Sequence, residues 1–135
     1  MKPRFTRTRN RILSIVRQSP VPVSAQQVYR VFDRGSVDLV TVYRGLQFLE
    51  DTERVASFSL RCEEHGTVRY FYSEEAAHLH FFHCEACHIF IPYHDCYVED
   101  TVRSIEEKYQ YSIHRHVLYF TGLCGNCRTE QARES

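Results

Sequence analysis

The stretch HLHFFHCEACH, residues 78 to 88, places four histidines and two cysteines within eleven positions. Its Cys84-x-x-Cys87 pair is matched by Cys124-x-x-Cys127 after 36 intervening residues. A two-residue spacer lets one tight turn present two thiolates to a single ion, and tetrahedral zinc takes four such donors. The spacing therefore predicts one structural zinc site that joins two distant parts of the chain.

The histidines of the same stretch predict a second metal site. His78 and His80 are two residues apart, so on a strand both imidazoles point to one face and can reach one ion. Further candidate ligands are Glu99, on the flank of a predicted helix, and His116. Other potential ligands lie nearby in sequence without an assigned role: His83, His88, His94, Asp95 and Cys96.

Two other kinds of chemistry stay open for these residues. A redox switch would pair Cys84 with Cys87, or Cys62 with Cys96, although the pattern lacks the βαβ context of thioredoxin-like proteins. A zinc hydrolase would require an open zinc position and a general base, and the sequence contains no HExxH motif. We therefore predict no catalytic residues and no enzyme.

The length and composition indicate a packed protein outside the membrane. The 135 residues are enough for one ordinary domain or two small ones, and 43% are hydrophobic. No apolar run approaches the roughly 18 residues of a membrane span. The basic start, MKPRFTRTRNR, lacks the apolar segment of a signal peptide. We expect a cytoplasmic protein with no membrane partner.

The net charge of zero hides an asymmetry between the two halves of the chain. Residues 1–60 carry ten Lys and Arg against five Asp and Glu, whereas residues 61–135 carry seven against twelve. A basic first half suits a polyanionic partner, because neutralising phosphates releases counterions. A solvated charged surface would give the same count.

The first 50 residues predict helices. The first helix can be capped by Thr6 or Thr8 and should end by Ser19, because the prolines that follow disfavour helical geometry before them. Ser24 and Gln27 form an S-x-x-Q capping box for the second helix. A third helix begins at a later cap, Ser36 or Asp38.

A hairpin follows the helices. The segments Val55–Leu60 and Val68–Tyr72 are strand-like, and Gly66 lies in the connection between them. Three helices followed by a short hairpin is the order of elements in a winged helix-turn-helix domain.

The third helix predicts a nucleic-acid contact surface. Its apolar residues form one stripe, so Tyr43, Arg44 and Gln47 fall on the opposite, exposed arc. Arginine reads guanine edges with two hydrogen bonds, and tyrosine can contact the backbone or a thymine methyl. A solvated helix face is the alternative, but the winged-helix order and the basic amino-terminal arm, which includes Arg4, favour binding.

The second half predicts strand, strand, helix and strand, which makes the fold class α+β. These elements are His78–Cys84, His88–Ile91, a helix marked by Val98 to Tyr109, and the strand Tyr111–Thr121. The polar tail after Cys127 has no predicted structure. The predicted organisation is a winged-helix domain at 1–72, a hinge at 73–77 and a metal-binding domain at 78–135.

Four sequence patterns resemble those of the ferric uptake regulator (Fur) family and together span nearly the whole chain. They are FTxxRxxIL from Phe5, VSAQQVY from Val23, TVYRxLxxL from Thr41 and IxxHxLxxxGLCxxC from Ile113. The resemblance implies a dimeric, metal-responsive transcriptional regulator with an amino-terminal winged helix and an α/β dimerisation domain stapled by zinc. Metal in a regulatory site would favour the arrangement that binds a palindromic operator in double-stranded DNA.

The resemblance also implies roles for single residues. Tyr43 and Arg44 match the base-contacting pair of the family, and Arg4 lies near its minor-groove basic residue. Glu99 and His116 match ligands of a site within the dimerisation domain. The four cysteines of the two Cys-x-x-Cys pairs match the structural zinc set.

Several positions depart from the family pattern. Three residues, where the family has two, separate the second histidine of HxH from Cys84, so His78 and His80 need a bulge to occupy the usual positions. Pro22, Tyr72 and Pro92 stand where metal ligands are expected. Tyr72 and Pro92 stand where the family has carboxylates, and this loss tilts the expected metal from iron(II) or manganese(II) toward zinc or an unusual site.

The sequence thus predicts a homodimeric DNA-binding regulator, a repressor, with a structural Zn²⁺ and a second divalent ion (Zn²⁺, Fe²⁺ or Mn²⁺) at His78, His80, Glu99 and His116. The alternatives are a thiol or peroxide redox sensor, and a family member that binds DNA without sensing metal.

Overall fold

The computed structural model describes residues 6–62, 66–75, 78–93 and 96–134. The chain divides into two compact units, Met1–Ala76 and Ala77–Ser135. The predicted hinge at 73–77 includes this division, but residues 76–77 lie outside the described part and the hinge stays a prediction. Among the described residues, no helix is long and apolar enough to cross a membrane.

The first unit packs helices against an antiparallel sheet. Its helices are α1 (Arg7–Gln18), α2 (Ala25–Val31) and α3 (Leu39–Asp51), and its strands are β1 (Val23–Ser24), β2 (Val55–Cys62) and β3 (Gly66–Ser73). Strand β3 lies between β1 and β2, and both pairings are antiparallel. Helices followed by the β2–β3 hairpin form the predicted winged helix-turn-helix.

Side-chain caps set where the helices begin. Thr6 accepts a hydrogen bond from an amide in the first turn of α1. Ser24 and Gln27 form the predicted capping box, with the Ser24 amide 2.8 Å from Gln27 Oε1. Asp38 Oδ1 accepts from the Thr41 amide at 2.7 Å, so Asp38, one of the two candidates, caps α3. This hydrogen bonding lowers the pKa of Asp38. Each such cap stabilises its helix by about 1 kcal/mol.

The core of the first unit requires a close approach of α1 and α3. It contains the following buried residues: Ile12, Leu13, Val16, Ala25, Val28, Val42, Leu46, Leu49, Val55 and Phe71. At the crossing, a Cβ on Gly45 would lie 2.5 Å from Ile12 Cδ1. Glycine therefore occupies this helical position because any side chain would collide with a fully buried isoleucine.

The second unit is a sheet with β4 at its centre. It contains β4 (His78–Cys84), β5 (Phe90–Pro92), α4 (Glu99–Tyr109), β6 (His116–Gly122) and α5 (Gly125–Glu134). Strand β4 pairs antiparallel with β5 and parallel with β6. Helix α4 lies within the connection that a parallel pair requires.

The pairing of β4 with β6 is unbroken across the whole of β4. Residues pair one to one from His78 with His116 to Cys84 with Gly122. The bulge that the usual family positions would require is absent from this ladder. His80 and Cys84 therefore lie on the same face of β4, four residues apart.

Three predicted element boundaries in this unit are wrong. The second strand begins at Phe90, because His88 has a positive φ of 65° that ends the turn after Cys87. The third begins at His116, because the amides of Tyr111 and Ile113 instead bond to Glu106 of α4. The polar tail forms α5, whose first turn carries Cys127.

We predict that Gly45→Ala lowers the free energy of unfolding by about 1 kcal/mol. Overpacking against Ile12 costs about 1–3 kcal/mol and outweighs a gain in helix propensity of about 1 kcal/mol. Urea denaturation measures the change. In the Ile12→Val background, which removes the colliding methyl group, the same substitution should cost less; a stabilising Gly45→Ala would contradict the packing argument.

Candidate metal centres and nucleic-acid interface

The four cysteines of the paired motifs meet at the end of β4. The sulfur atoms of Cys84, Cys87, Cys124 and Cys127 all lie within 4.8 Å of one another. The Cys87 and Cys124 sulfurs are 3.8 Å apart. Zinc–sulfur bonds of about 2.3 Å in a tetrahedron require sulfur atoms about 3.8 Å apart. The cluster therefore fits a structural zinc site.

Backbone geometry prepares the cluster for a metal ion. The Cys84 sulfur is buried, which opposes ionisation, but amide hydrogen bonds from Cys87, Cys124 and Ala86 outweigh this and lower the pKa of Cys84 to about 6. Hydrogen bonding to Cys124, together with burial, raises the pKa of Cys127 to about 12. Zinc binds thiolates, so binding of the ion displaces protons from those thiols that are still protonated.

A second group of potential ligands lies on the same unit and combines His80, Cys96 and His116. The two Nε2 atoms are 2.7 Å apart, and the rings stack with centroids 4.9 Å apart. The Cys96 sulfur is 3.6 Å from His116 Nε2. His80 is buried and the other two side chains are partly exposed. Two imidazoles and a thiol thus converge on one point.

The pairing of strands accounts for this convergence. His116 pairs with His78, so it is a diagonal neighbour of His80 on β6. Strand β5 returns along the other side of β4, and the Tyr93 amide bonds to the His80 carbonyl at 2.9 Å. The chain that leaves β5 therefore reaches the start of β4, where Cys96 meets the histidines.

The structure does not assign two other predicted ligands, His78 and Glu99, to this group. The backbone of His78 lies opposite His116, but its side chain lies outside the described part of the structure. Glu99, in the first turn of α4, is exposed and lies 4.0 Å from Arg103. It shares a cavity of about 300 Å³ with His116. Its ligand role stays a prediction, as do those of His80, His116 and His78.

His83 and His88, the remaining histidines of HLHFFHCEACH, pack together on the side of β4 opposite His80. His83 is buried, with its ring centroid 4.7 Å from Phe90 and 5.8 Å from His88. Burial of the ring lowers the pKa of His83, and the nearby His88 lowers it further. A neutral ring packed among aromatic side chains has a structural role. His65, His94, Asp95 and the Cys62 side chain lie outside the described residues.

The predicted contact surface on α3 is exposed. Tyr43 is 50% exposed, and Arg44 and Gln47 are also exposed. Gln47 is held within the unit, because its Nε2 donates to Asp51 at 2.9 Å and its Oε1 accepts from Arg69 at 3.2 Å. Arg4 lies outside the described residues. The arrangement leaves Tyr43 and Arg44 able to reach a ligand along the helix face.

The fold and the cysteine cluster together define a winged-helix protein with a second unit that fits a zinc staple. The sequence profile of the Ferric uptake regulator family matches residues 1–121. The chain belongs to this family of metal-responsive transcription regulators.

Individual relatives agree with this assignment. The ferric uptake regulation protein of Vibrio anguillarum is 30% identical over 130 residues, which cover 93% of this chain and 85% of that protein. The crystal structure of the Vibrio cholerae ferric uptake regulator has a TM-score of 0.71 at 29% identity, covering 90% of this chain and 92% of that one. A zinc uptake regulator in complex with zinc and DNA has a TM-score of 0.58 at 20% identity, covering 96% and 86%.

We predict that the purified protein carries zinc at the cysteine cluster and that Cys127→Ser removes it. Loss of one thiolate should weaken zinc retention by roughly 100-fold or more, since even the partners of ligands cost 10–100-fold. Elemental analysis after dialysis against a chelator, together with thermal unfolding, measures the loss. Cys62→Ser, which removes a thiol from the other unit, is the control; equal zinc in both variants would refute the site.

Proposed function

We propose that the protein is a metal-responsive transcriptional repressor that binds a palindromic operator as a homodimer when a second metal site holds a divalent ion. The observation that carries this proposal is the group of His80, Cys96 and His116, which is separate from the cysteine cluster. A protein that needed zinc only for folding would have no use for this second convergence of ligands.

The cysteine cluster and the group of His80, Cys96 and His116 differ as a structural and a sensing metal site should differ. His80 and Cys84 are four residues apart on β4, which separates them by about 13 Å. Four cysteines can close the coordination of one ion, whereas the described residues supply three donors to the second group. A site with an open coordination position and two partly exposed donors can exchange its ion with solution, as a sensor must. The sequence also supplies His78 and Glu99 as further ligands.

The winged helix supports DNA as the partner. Tyr43 and Arg44 stand on the exposed face of α3, the helix that enters the major groove in this class of domain. Arg44 can bond to both acceptors of a guanine edge. The basic arm that includes Arg4 would lie along the phosphate backbone or in the minor groove. The relative bound to zinc and DNA supports this use of the fold.

The second unit supports a homodimer. Helix α4 has no buried residue, although it is amphipathic. Aromatic side chains of the same unit are also exposed, including Tyr97 at 78% and Tyr111 at 60%, which flank α4 in sequence, and Phe120 of β6 at 53%. Apolar surface of this kind marks an interaction site. A two-fold dimer places one recognition helix on each half of a palindrome.

Metal binding would act by a shift of population. His80 and His116 would hold the ion, which would add a side-chain link between β4 and β6 to their backbone pairing. If this state favours the dimers whose winged helices match both half-sites, the ion and the operator bind with positive coupling. Such a regulator works in the cytoplasm, where DNA is present and thiols stay reduced.

We predict that Arg44→Ala reduces binding to the operator by at least about tenfold, with zinc content and unfolding unchanged. Each bidentate arginine–guanine contact discriminates by about 1–3 kcal/mol, and 1.4 kcal/mol is a factor of ten. Fluorescence anisotropy with a duplex selected from a random pool measures the loss. Arg34→Ala, which removes an exposed arginine outside α3, is the control. Unchanged binding by Arg44→Ala would refute the recognition-helix assignment.

We predict that His80→Ala abolishes the dependence of operator binding on added metal while leaving the structural zinc in place. Binding titrated against iron(II), manganese(II) and zinc(II), with metal per chain measured on the same sample, tests this. Glu99→Gln should weaken the response in the same direction if the carboxylate is a ligand.

The same titration separates the alternatives. Operator binding by the wild type that is indifferent to every metal would favour a constitutive regulator. Binding that instead changes with mild peroxide, in parallel with loss of free thiols, would favour a redox sensor.

A further inference from the structure

Cys96 changes the chemistry of the second metal group. Its sulfur lies 3.6 Å from His116 Nε2, in a group that otherwise contains imidazoles. Zinc–sulfur and zinc–nitrogen bonds of about 2.3 and 2.05 Å in a tetrahedron require a separation of about 3.6 Å. The thiol is therefore already at ligand distance for one shared ion.

The two imidazoles need only a small adjustment. Their Nε2 atoms are 2.7 Å apart, which is a hydrogen-bond distance, whereas a tetrahedral ion would hold them about 3.3 Å apart. His116 is partly exposed at the start of β6, where a side-chain rotation can supply this difference. An ion would thus replace the contact between the two histidines.

The hard donor expected at this place, Glu99, lines a cavity with His116 but does not reach the converging ligand atoms. The Glu99 side chain is 61% exposed beside Arg103, and it is not among the ligand atoms that converge on His116. Carboxylate and water suit manganese(II), while thiolate with imidazole suits zinc. The described donors are thus softer than a set of histidines and carboxylates would be.

We propose that Cys96 is a ligand of the second site and that its thiolate makes the site selective for zinc(II) over manganese(II) and iron(II). This inference rests on the proposed function only in naming the site as the sensor, since the ligand assignment concerns the bound ion itself.

Cobalt(II) is the probe, because a thiolate–cobalt bond gives an intense charge-transfer absorption that imidazole ligands do not give. The cysteine cluster is first filled with one equivalent of zinc, and cobalt(II) is then added to wild type, Cys96→Ser and Cys62→Ser. Wild type and Cys62→Ser should show the charge-transfer band. Cys96→Ser should bind cobalt(II) through the histidines without it. Retained zinc, measured after gel filtration, confirms that cobalt has not displaced the structural ion.

The second measurement is selectivity. Competition between zinc(II) and manganese(II) should favour zinc in the wild type, and Cys96→Asp should reduce the ratio of affinities by roughly 100-fold. A band that persists in Cys96→Ser, a wild type without a band, or an unchanged ratio in Cys96→Asp would overturn the inference. A cobalt–thiolate band in a protein whose operator binding ignores metal would instead refute the proposed function and leave the ligand assignment standing.

A separate observation concerns the joint between the recognition helix and the wing. Arg69 of β3 donates from Nε to Ser57 at 2.9 Å, from Nη1 to Gln47, and from Nη2 to Glu50. Ser57 also donates to Glu50 at 2.8 Å. The guanidinium therefore connects β2, β3 and α3 through three different acceptors.

We infer that Arg69 is a positioning residue for base readout, given the DNA-binding function proposed above. Gln47 lies on the same exposed arc as Tyr43 and Arg44, and its amide is oriented by Arg69 on one side and Asp51 on the other. A side chain held in one orientation loses less freedom when it meets a base edge. Arg69 acts through Gln47 and through the angle between α3 and the hairpin.

Operator and scrambled duplexes distinguish positioning from a simple phosphate contact. Arg69→Ala should lower the ratio of operator to scrambled affinity by about tenfold, with an unchanged dependence on salt. In the double variant, Gln47→Ala should lower this ratio little further than Arg69→Ala alone, because both changes remove the same contact. Arg69→Lys should fail to restore the ratio, since lysine lacks the fork that reaches three acceptors.

Several outcomes would overturn this second inference. A salt slope that falls by about one, with the ratio unchanged, would identify a phosphate contact. Full additivity with Gln47→Ala, or restoration by Arg69→Lys, would exclude the positioning role. If Arg69→Ala does not fold, Glu50→Gln weakens the same joint while keeping the arginine, and it should lower the ratio in the same direction.

Discussion

The parallel pairing of β4 with β6 is the constraint on which both metal groups depend. The register sets Cys84 opposite Gly122, two residues before Cys124, and it sets His78 opposite His116. A shift by one residue would turn every side chain of β4 to the other face. The cysteine cluster would then lose Cys84 and the second group would lose His80. One ladder of backbone hydrogen bonds thus positions both groups of candidate ligands.

The stability of the second unit in turn depends on the groups that its sheet brings together. The second unit buries few large side chains in the described residues, and α4 buries none of its own. A small domain with so little core relies on a metal or on a partner for its stability. The cysteine cluster joins the Cys84–Cys87 turn, which follows β4, to the start of α5. This junction lies at the Cys84 end of the β4–β6 pairing. The exposed aromatic surface is the one that the proposed homodimer would cover.

The first unit, in contrast, has a continuous hydrophobic core of its own. Its core is continuous from α1 through α3 to β3. Gly45 permits α1 and α3 to cross closely, and the face of α3 opposite this crossing points outward. Tyr43 and Arg44, which we propose contact DNA, and Glu50, which is bonded to the hairpin through Arg69, are therefore on the same helix. Arg69 links that helix to the wing by hydrogen bonds that a solvated surface arginine would not make.

Much of this arrangement follows from local sequence. Capping residues, apolar periodicity and the two Cys-x-x-Cys spacings depend on neighbours within a few residues, so the helices of the first unit and the set of zinc ligands were predictable. Cys96 was within reach as well. A hairpin that folds back around the Cys84–Cys87 turn must bring the residues after β5 beside the start of β4. The position of Cys96 shortly after that return strand was the available signal.

The sequence by itself determined the winged-helix order, the pairing of the cysteine motifs and the exposed arc of α3. Only the tertiary structure decided that β4 runs without a bulge, that Cys96 joins His80 and His116, and that Glu99 stands apart. It also decided that the polar tail is helical. The reason is physical: spacing along the chain specifies local turns and faces, whereas a convergence of ligands depends on strand register and on contacts between residues far apart in sequence.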